Sequence, residues 1–344
     1  MIRYFDGHND LLLRLTMANV SSSDFLDGDG KGHVDLPRAQ KGGMVGGFYA
    51  MFSPPDRPAG QPVAASFNGL PPMLPADRAW YWVKRELALF ERIIEDGAGK
   101  VAHCRDGAAV SEAIENGIYA MILHLEGCEA IEADLDLLHV LYAAGLRSLG
   151  PVWSRETIFG TGVPLKFPGS PDIGPGLTDA GKALIREANK LRIVVDLSHM
   201  NEKGFWDIAE ISDAPLVATH SNVHALCTAP RNLTDKQLDA IRESGGMVGL
   251  NFGARFLRED GQANADVPIG RMIEHLDYML ERLGEDHVGL GSDFDGVEVP
   301  KSIRDVSDMP TFFEALAEHG HGPELIEKIA WRNWVSLLER TLDR

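Results

Sequence analysis

Short runs of apolar residues alternate with longer amphipathic stretches along nearly the whole chain. Eight of these runs are almost continuously apolar, which is typical of strands buried on both faces of a parallel sheet. They cover residues 2–6, 45–52, 118–126, 146–152, 193–199, 216–220, 247–252 and 288–293. Helical periodicity follows at 78–95, 133–144, 178–191, 202–211, 234–243 and 269–283, and two more helical patterns close the chain at 311–318 and 323–342. We therefore predict an α/β fold, a (β/α)8 TIM barrel with extended βα loops and C-terminal helices.

Two segments rich in proline and glycine interrupt this alternation, at residues 53–75 and 157–176. Loops of this length without secondary structure are uncommon unless they serve a function. Both follow strands, so we expect them on the C-terminal face of the barrel, where the active sites of this architecture lie. The length of 344 residues suits one such barrel, and we predict a single domain over residues 1–344.

Composition narrows the classes of partner. The formal net charge is −18, which argues against nucleic acid, since phosphate binding needs a basic face. No run of 18 apolar residues occurs and no apolar signal region precedes the first strand, so we expect a cytoplasmic protein without a membrane partner. The three cysteines form no CxxC pair, and we expect free thiols. The sequence leaves open whether the protein forms a homodimer.

Side chains that commonly bind metals stand at the C-terminal ends of four predicted strands. His8 and Asp10 follow the first strand, Glu126 ends the third, and His199 and His220 end the fifth and sixth. Residues i and i+2 of an extended chain point the same way, so His8 and Asp10 can face one metal ion. Imidazoles and carboxylates without thiolates suit zinc, and the set exceeds what one tetrahedral catalytic site needs. We predict two zinc ions bridged by one carboxylate.

A further acid, Asp293, ends the eighth strand at the same face of the barrel. A lone histidine at a strand end is more often structural than a ligand, so the hypothesis depends on the convergence of all these residues. His124 shares a strand face with Glu126 and could line the barrel, and His224 could lie on a loop over the site. The remaining histidines fall in turns or helices and are expected to be exposed: His33, His103, His139, His275, His287, His319 and His321.

In their order and spacing, these motifs resemble the membrane (renal) dipeptidase family of zinc peptidases, within the amidohydrolase superfamily. The matching segments are Asp6-Gly7-His8-Asn9-Asp10, Leu125-Glu126-Gly127, Asp196-Leu197-Ser198-His199, Thr219-His220-Ser221, Arg231-Asn232-Leu233 and Gly291-Ser292-Asp293-Phe294-Asp295-Gly296, which extend over essentially the whole chain. The mammalian members of the family are exported and membrane-anchored. This chain carries neither signal, so we expect a soluble relative of bacterial type.

The resemblance implies a zinc-dependent dipeptidase, with dipeptides that carry a D-residue at the C-terminal position within its range. His8 and Asp10 would hold one zinc ion, His199 and His220 the other, and Glu126 would bridge them. In the activity that this implies, a hydroxide bridging the metals attacks the peptide carbonyl.

Two further roles follow from the same resemblance. Asp293 would contact the bridging hydroxide and shuttle its proton to the leaving amine. Arg231 would bind the C-terminal carboxylate of the substrate, and the guanidinium fork matches a carboxylate in geometry.

The fourth strand departs from the family pattern. Its end usually carries a histidine that polarises the scissile carbonyl, and here Trp153 stands at that position. An indole offers one N–H donor and no positive charge, and Arg155 is close enough in sequence to substitute for the missing histidine. We therefore carry Trp153 and Arg155 as candidate substrate-binding residues.

Two alternatives to a dipeptidase stay open at this point. Another binuclear amidohydrolase would act on N-acyl amino acids, cyclic amides or lactones, since the barrel supports many chemistries. A non-catalytic binding protein on a degenerate barrel is the third hypothesis.

Overall fold

The computed structural model describes residues 1–55 and 69–343. Over these residues, nine parallel strands belong to one sheet. The strands are β1 (Tyr4–Asn9), β2 (Met44–Phe52), β3 (Val101–His103), β4 (Tyr119–Glu126), β5 (Leu146–Gly150), β6 (Val194–Val195), β7 (Val217–Ser221), β8 (Met247–Leu250) and β9 (Val288–Leu290).

The sheet closes on itself. Its strand order is β6-β5-β4-β2-β1-β9-β8-β7. A parallel bridge between Asp196 and Val217 joins the two ends, and the amide of Leu197 donates to the carbonyl of Val217 at 2.8 Å. Each of the eight strands in this ring overlaps a predicted strand, so the predicted barrel is confirmed. The short β3 was not predicted, because three residues carry too little periodicity; it extends the sheet beside the first residues of β4.

Helices follow the strands around the barrel. They are α1 (Leu11–Ala18), α2 (Leu36–Gly42), α3 (Ala76–Asp96), α4 (Gly107–Glu115), α5 (Asp136–Ala144), α6 (Asp179–Lys190), α7 (Glu202–Ile211), α8 (Asp235–Glu243), α9 (Ala254–Leu257), α10 (Ile269–Leu283), α11 (Met309–His319), α12 (Pro323–Glu327) and α13 (Asn333–Leu342), with single π-helical turns at Asp24–Gly28 and Lys328–Arg332. The C-terminal pattern predicted as one helix is therefore α12, a π-helical turn and α13. The shorter α1, α2, α4 and α9 were not predicted.

Local capping explains several helix starts. Asn201 accepts a hydrogen bond from the amide of Gly204 at the start of α7, and Thr178 accepts one from the amide of Gly181 at the start of α6. Thr234 and Gln237 form a reciprocal capping box at α8. Each of these contacts satisfies an amide that the first turn of a helix leaves without a partner, which is why helices begin at these polar residues.

The C-terminal helix packs against the barrel strands through Trp334. This side chain is fully buried, and its indole N–H donates to the carbonyl of Leu290 at 2.9 Å. Glycines make room for the ring, since a Cβ at Gly7 would lie 2.4 Å from it and one at Gly289 would lie 2.7 Å from it. The Trp334 side chain therefore fills space against the barrel strands, which have a packed core rather than a pore.

The two loop segments singled out in the sequence differ in what can be described. Residues 157–176 connect β5 to α6 without a helix or strand of the barrel, as expected. Residues 56–68 of the other segment lie outside the described residues. Among the helices that are described, none has the length and apolar character needed to cross a membrane.

Candidate active site

All five predicted metal ligands meet at the C-terminal end of the barrel. His8 lies near the end of β1 and Asp10 follows that strand directly. Glu126 is the last residue of β4, His220 lies in β7, and His199 lies in the loop after β6. All five side chains are buried. The barrel closes strands that are far apart in sequence, and this brings residues separated by more than 200 positions together.

One carboxylate oxygen lies at the centre of this group. Glu126 Oε1 is 3.0 Å from Nε2 of His199, 3.5 Å from Nε2 of His220 and 3.8 Å from Nε2 of His8. His8 Nε2 is also 3.6 Å from Asp10 Oδ2. A tetrahedral zinc ion with bonds of about 2.0 Å keeps its donor atoms roughly 3.3 Å apart. The separations fit metal coordination by these residues with shifts of a few tenths of an ångström.

The imidazole of His8 adds a second indication of a bound cation. Its ring is fully buried and stacks on His220 with 3.8 Å between centroids. Within the described residues, neither of its nitrogens has a hydrogen-bond partner. Burying a polar group without a partner costs about 1–3 kcal/mol. A metal ion coordinated by Nε2 would remove part of that cost, so the donor set fits a metal.

Hydrogen bonds behind the ligands orient the imidazole of His220. Thr219 Oγ1 donates its single proton to Asp196 Oδ2 at 2.6 Å, and the same oxygen lies 2.8 Å from Nδ1 of His220. The hydroxyl has no second proton, so Nδ1–H of His220 must be the donor in that contact. The lone pair of His220 is therefore on Nε2, which faces Glu126. His199 is held in a similar way, with Nδ1 2.9 Å from Ser154 Oγ. Such contacts fix ring orientation at metal sites.

Asp293 follows β9 and lies beside these ligands. Its backbone has φ of 59°, a left-handed conformation that few non-glycine residues adopt outside constrained sites. Its Oδ2 accepts a hydrogen bond of 2.8 Å from the side-chain amide of Asn251. One oxygen each from Asp293 and Asp10 and a nitrogen of His8 lie within 4.8 Å of one another. The arrangement leaves a carboxylate, oriented through one oxygen, at the edge of the metal-ligand group.

Asn251 was not singled out in the sequence. It follows β8, at the end of the seventh apolar run, so the same search for polar residues at strand ends could have found it.

Comparison with known proteins identifies the family of this chain. The sequence model of the membrane dipeptidases, peptidase family M19, matches residues 1–343. The chain belongs to the membrane dipeptidase family. It is therefore a peptidase, and membership in this family of metallopeptidases implies a metal cofactor. The resemblance predicted from the sequence motifs is confirmed.

Three relatives of this dipeptidase family member show how far the similarity extends. A metallopeptidase from Rhodobacter sphaeroides, solved with a phosphinate mimic of the dipeptide L-Ala-D-Ala, is 50% identical with a TM-score of 0.95, and 99% of each chain is covered. The structure of a metallopeptidase described as dipeptidase AC is also 50% identical, with a TM-score of 0.94 over 100% of this chain and 99% of the other. An uncharacterised Klebsiella pneumoniae protein from the pqqA 5′ region is 46% identical over 265 residues, 77% of this chain and 96% of the relative.

Arg231 of this dipeptidase family member is buried behind two of the predicted ligands, His199 and His220. Its Nη1 donates to the carbonyl of Ser198 and lies 3.2 Å from Ser221 Oγ, and its Nη2 donates to the carbonyl of His220 at 2.9 Å. Within the described residues, its Nε has no hydrogen-bond partner. The guanidinium therefore ties the loop of His199 to the end of β7, which carries His220, and keeps Nε–H and one Nη2 hydrogen for another acceptor.

Trp153 and Arg155 occupy different positions in the site. The Trp153 ring lies 5.9 Å from the His199 ring and 5.0 Å from the Phe52 ring, so it forms a wall next to a predicted metal ligand. Arg155 packs over that indole at 5.2 Å, and its Nε is 2.8 Å from Glu129 Oε1. Both members of this ion pair are buried. Glu129 was not predicted, since it lies in the irregular loop after β4.

Burial dominates the electrostatics of the family member's site. It raises the pKa of Glu126 and of Asp293 above their usual values and lowers the pKa of His199 and of His220 well below theirs. For His8, burial lowers the pKa, but the nearby Glu126 and Asp10 carboxylates outweigh it and bring the value to about 10. A bound dication favours the deprotonated form of every one of these groups.

The remaining histidines were predicted with mixed success. His124 lines the barrel as expected, buried with Nδ1 2.8 Å from Ser148 Oγ. His224 contacts the carbonyl of Gly169, in the loop after β5, at 2.9 Å. His139 and His319 are exposed as expected, but the expectation was wrong for the others. His33, His103, His287 and His321 are only partly exposed, and His275 is fully buried because it occupies the inner face of α10.

Proposed function

We propose that this chain is a zinc-dependent dipeptidase that binds two zinc ions bridged by Glu126. In this proposal His8 and Asp10 hold one ion, and His199 and His220 hold the other. The observation that carries it is the position of Glu126 Oε1, within 3.0–3.8 Å of Nε2 of three buried imidazoles. Asp10 and Asp293 complete the set on the His8 side.

The donor chemistry favours zinc. Three imidazoles and two carboxylates without thiolates are the ligands of catalytic zinc sites. Magnesium and calcium prefer sites made of oxygen atoms alone, which three histidines do not provide. When bound, zinc ions supply Lewis acidity, which lowers the pKa of water and polarises a carbonyl group.

Asp293 is suited to carry the proton of the reaction. Asn251 holds its Oδ2, which leaves Oδ1 to accept a proton from the attacking water. The water oxygen bonds to the peptide carbonyl carbon, and Asp293 then donates the proton to the amine as the C–N bond breaks. A carboxyl that acts first as base and then as acid fits a buried group whose pKa is raised by burial.

Arg231 is suited to bind the free carboxylate of the substrate. Its Nε–H has no partner within the described residues, and Nη2 has one hydrogen besides the one that it donates to His220. Adjacent N–H groups of a guanidinium match the two oxygens of a carboxylate. The rest of the guanidinium holds the backbone beside His199 and His220. A substrate carboxylate bound by Arg231 would lie beside the backbone of His199 and His220, which would favour very short peptides.

Dipeptides with a D-residue at the C-terminal position belong in the proposed substrate range. The Rhodobacter sphaeroides metallopeptidase, at 50% identity, binds a phosphinate mimic of L-Ala-D-Ala. In this chain the Trp153 indole forms a wall beside His199, at the position where the family usually has a histidine. We infer that Trp153 shapes the space around the scissile bond, while Arg155 acts through its ion pair with Glu129.

A substrate panel on zinc-loaded protein tests the proposal. It should contain dipeptides with L- or D-residues at the C-terminal position, the corresponding dipeptide amides, N-acyl amino acids and lactones. We expect dipeptides to be cleaved with the highest kcat/KM. Faster turnover of N-acyl amino acids or lactones would instead identify a different amidohydrolase.

Removing the metal with a chelator tests whether turnover depends on two zinc ions. Removal of zinc should abolish turnover, and two equivalents of zinc per chain should restore it. Full recovery with one equivalent would contradict the binuclear site. No turnover of any substrate by protein that has bound two equivalents would point to a binding protein.

A further inference from the structure

Three potential metal ligands meet on the outer helices, away from the barrel mouth. Asp277 lies on α10, His319 is the last residue of α11, and His321 follows two positions later. Nε2 of His319 is 2.9 Å from Oδ2 of Asp277, and Nε2 of His321 is 2.8 Å from Oδ1 of the same carboxylate. One donor atom from each residue lies within 4.8 Å of the other two. The reaction proposed above uses none of these residues.

The backbone between the two histidines sets their positions. Gly320 ends α11 with φ of 109°, a conformation that glycine adopts without strain. The amide of Gly320 bonds to the carbonyl of Ala317 at 3.1 Å, and the amide of His321 bonds to that of Leu316 at 3.1 Å. This hydrogen-bonded turn directs both imidazoles to one carboxylate, with 5.5 Å between the ring centroids. The convergence therefore rests on an ordered turn at the end of the helix.

The donor set is that of a three-ligand zinc site. Two imidazoles and one carboxylate bind zinc at about 2.0–2.2 Å, which in a tetrahedral site separates nitrogen from oxygen by roughly 3.3–3.6 Å. The observed separations of 2.8 and 2.9 Å would have to lengthen by roughly half an ångström for zinc to bind. The side chain of His319 is half exposed and that of Asp277 is 38% exposed, so an ion and its water ligand can enter without unfolding.

We propose that Asp277, His319 and His321 form an additional site for a divalent transition-metal ion, with Zn²⁺ as the ion that suits the ligands best. An ion here joins α10 to the end of α11 from outside the barrel. It holds two helices of which the first leads directly into β9, the strand before Asp293. The site is independent of the proposed catalytic metals, because it shares no ligand with them.

Counting bound zinc tests the proposal. Wild-type protein, the double variant His319→Ala/His321→Ala and the control His139→Ala would be saturated with Zn²⁺, passed through gel filtration and analysed for zinc per chain. His139 is an exposed histidine on α5, 3.6 Å from Glu187. We expect the double variant to bind one equivalent fewer than the wild type and His139→Ala to bind the same number as the wild type.

Two further measurements distinguish a metal site from a cluster held by hydrogen bonds alone. Asp277→Asn keeps the size of the side chain but removes its charge, and calorimetric titration should show at least a 10-fold weaker affinity for the extra equivalent. A hundred-fold excess of Mg²⁺ should leave that equivalent bound, since imidazole ligands disfavour Mg²⁺.

Equal zinc content in the wild type and the double variant would overturn the proposal, as would an unchanged affinity in Asp277→Asn. The test compares a difference in equivalents, so it stands whether or not the barrel mouth holds two zinc ions.

Discussion

Replacing Gly296 with alanine should separate metal binding from folding. A Cβ at this position would lie 2.1 Å from Oδ2 of Asp10 and 2.6 Å from Oδ1 of Asp293. Ordinary contact begins near 3.4 Å, so the Asp10 oxygen must move by about 1.3 Å. Zinc ligands tolerate changes of about 0.2 Å in bond length. The carboxylate can rotate away at small cost to the fold, but only by leaving the position in which it faces the metal.

The expected result is a selective loss of one zinc ion. Weakening an outer contact of a metal ligand costs about 10–100-fold in affinity, and displacing a ligand should cost at least the upper value. Zinc affinity would be measured by competition with a chromogenic chelator, with thermal unfolding of metal-free protein measured in parallel. Gly270→Ala is the matched control, since a Cβ there meets nothing within 4 Å.

Two outcomes would refute this reasoning. If Gly296→Ala binds as many zinc ions as the wild type and with the same affinities, Asp10 is not held against a metal in the way proposed. If metal-free Gly296→Ala unfolds far below the wild type while Gly270→Ala does not, the glycine serves the fold rather than the metal.

Three more changes test separate parts of the site and the core. Asp293→Asn should keep both zinc ions but lower kcat about 10²–10⁴-fold, because an amide cannot carry the proton; turnover near the wild-type rate would remove Asp293 from the mechanism. Arg231→Ala should lower kcat/KM about 100-fold for dipeptides and much less for dipeptide amides, and an equal loss for both would contradict carboxylate binding. Burial lowers the pKa of His275 to about 3 in the folded protein. Below about pH 6.5 this imidazole is therefore protonated in the unfolded chain but stays neutral in the folded protein. The contribution of His275 to the free energy of unfolding is complete above that pH and falls by roughly 2 kcal/mol by pH 5. In urea unfolding, His275→Gln should lose less stability between these pH values than the wild type. Equal dependence of stability on pH in the two proteins would disprove this role of His275.

The residues at strand ends show how far sequence reasoning reached. His8, Glu126 and His220 were recognised because each ends or follows a continuous apolar run, and parallel strands in a closed barrel present those ends at one mouth. Asn251 meets the same criterion and was overlooked, because an asparagine is less conspicuous than a histidine or an acid. Glu129 offered no such signal, since the loop that contains it has no periodicity.

The buried and exposed histidines mark another limit. His275 and His319 both lie on helices near the end of the chain, yet His275 is fully buried and His319 is half exposed. Which helix face packs inward depends on neighbouring helices as well as on local periodicity. The sequence analysis expected both side chains to be exposed, but tertiary packing buries His275 and leaves His319 half exposed.

The sequence by itself determined the barrel, the chemical types of the ligands and the ends of the strands that carry them. These follow from local properties, namely the period of hydrophobicity and the polar residues that end each run. Only the tertiary structure decided which atoms meet: one oxygen of Glu126 beside three imidazoles, Arg155 paired with Glu129, and Asp277 between two histidines. Those contacts join distant segments, and their distances of a few ångströms depend on barrel closure and helix packing, which local periodicity does not encode.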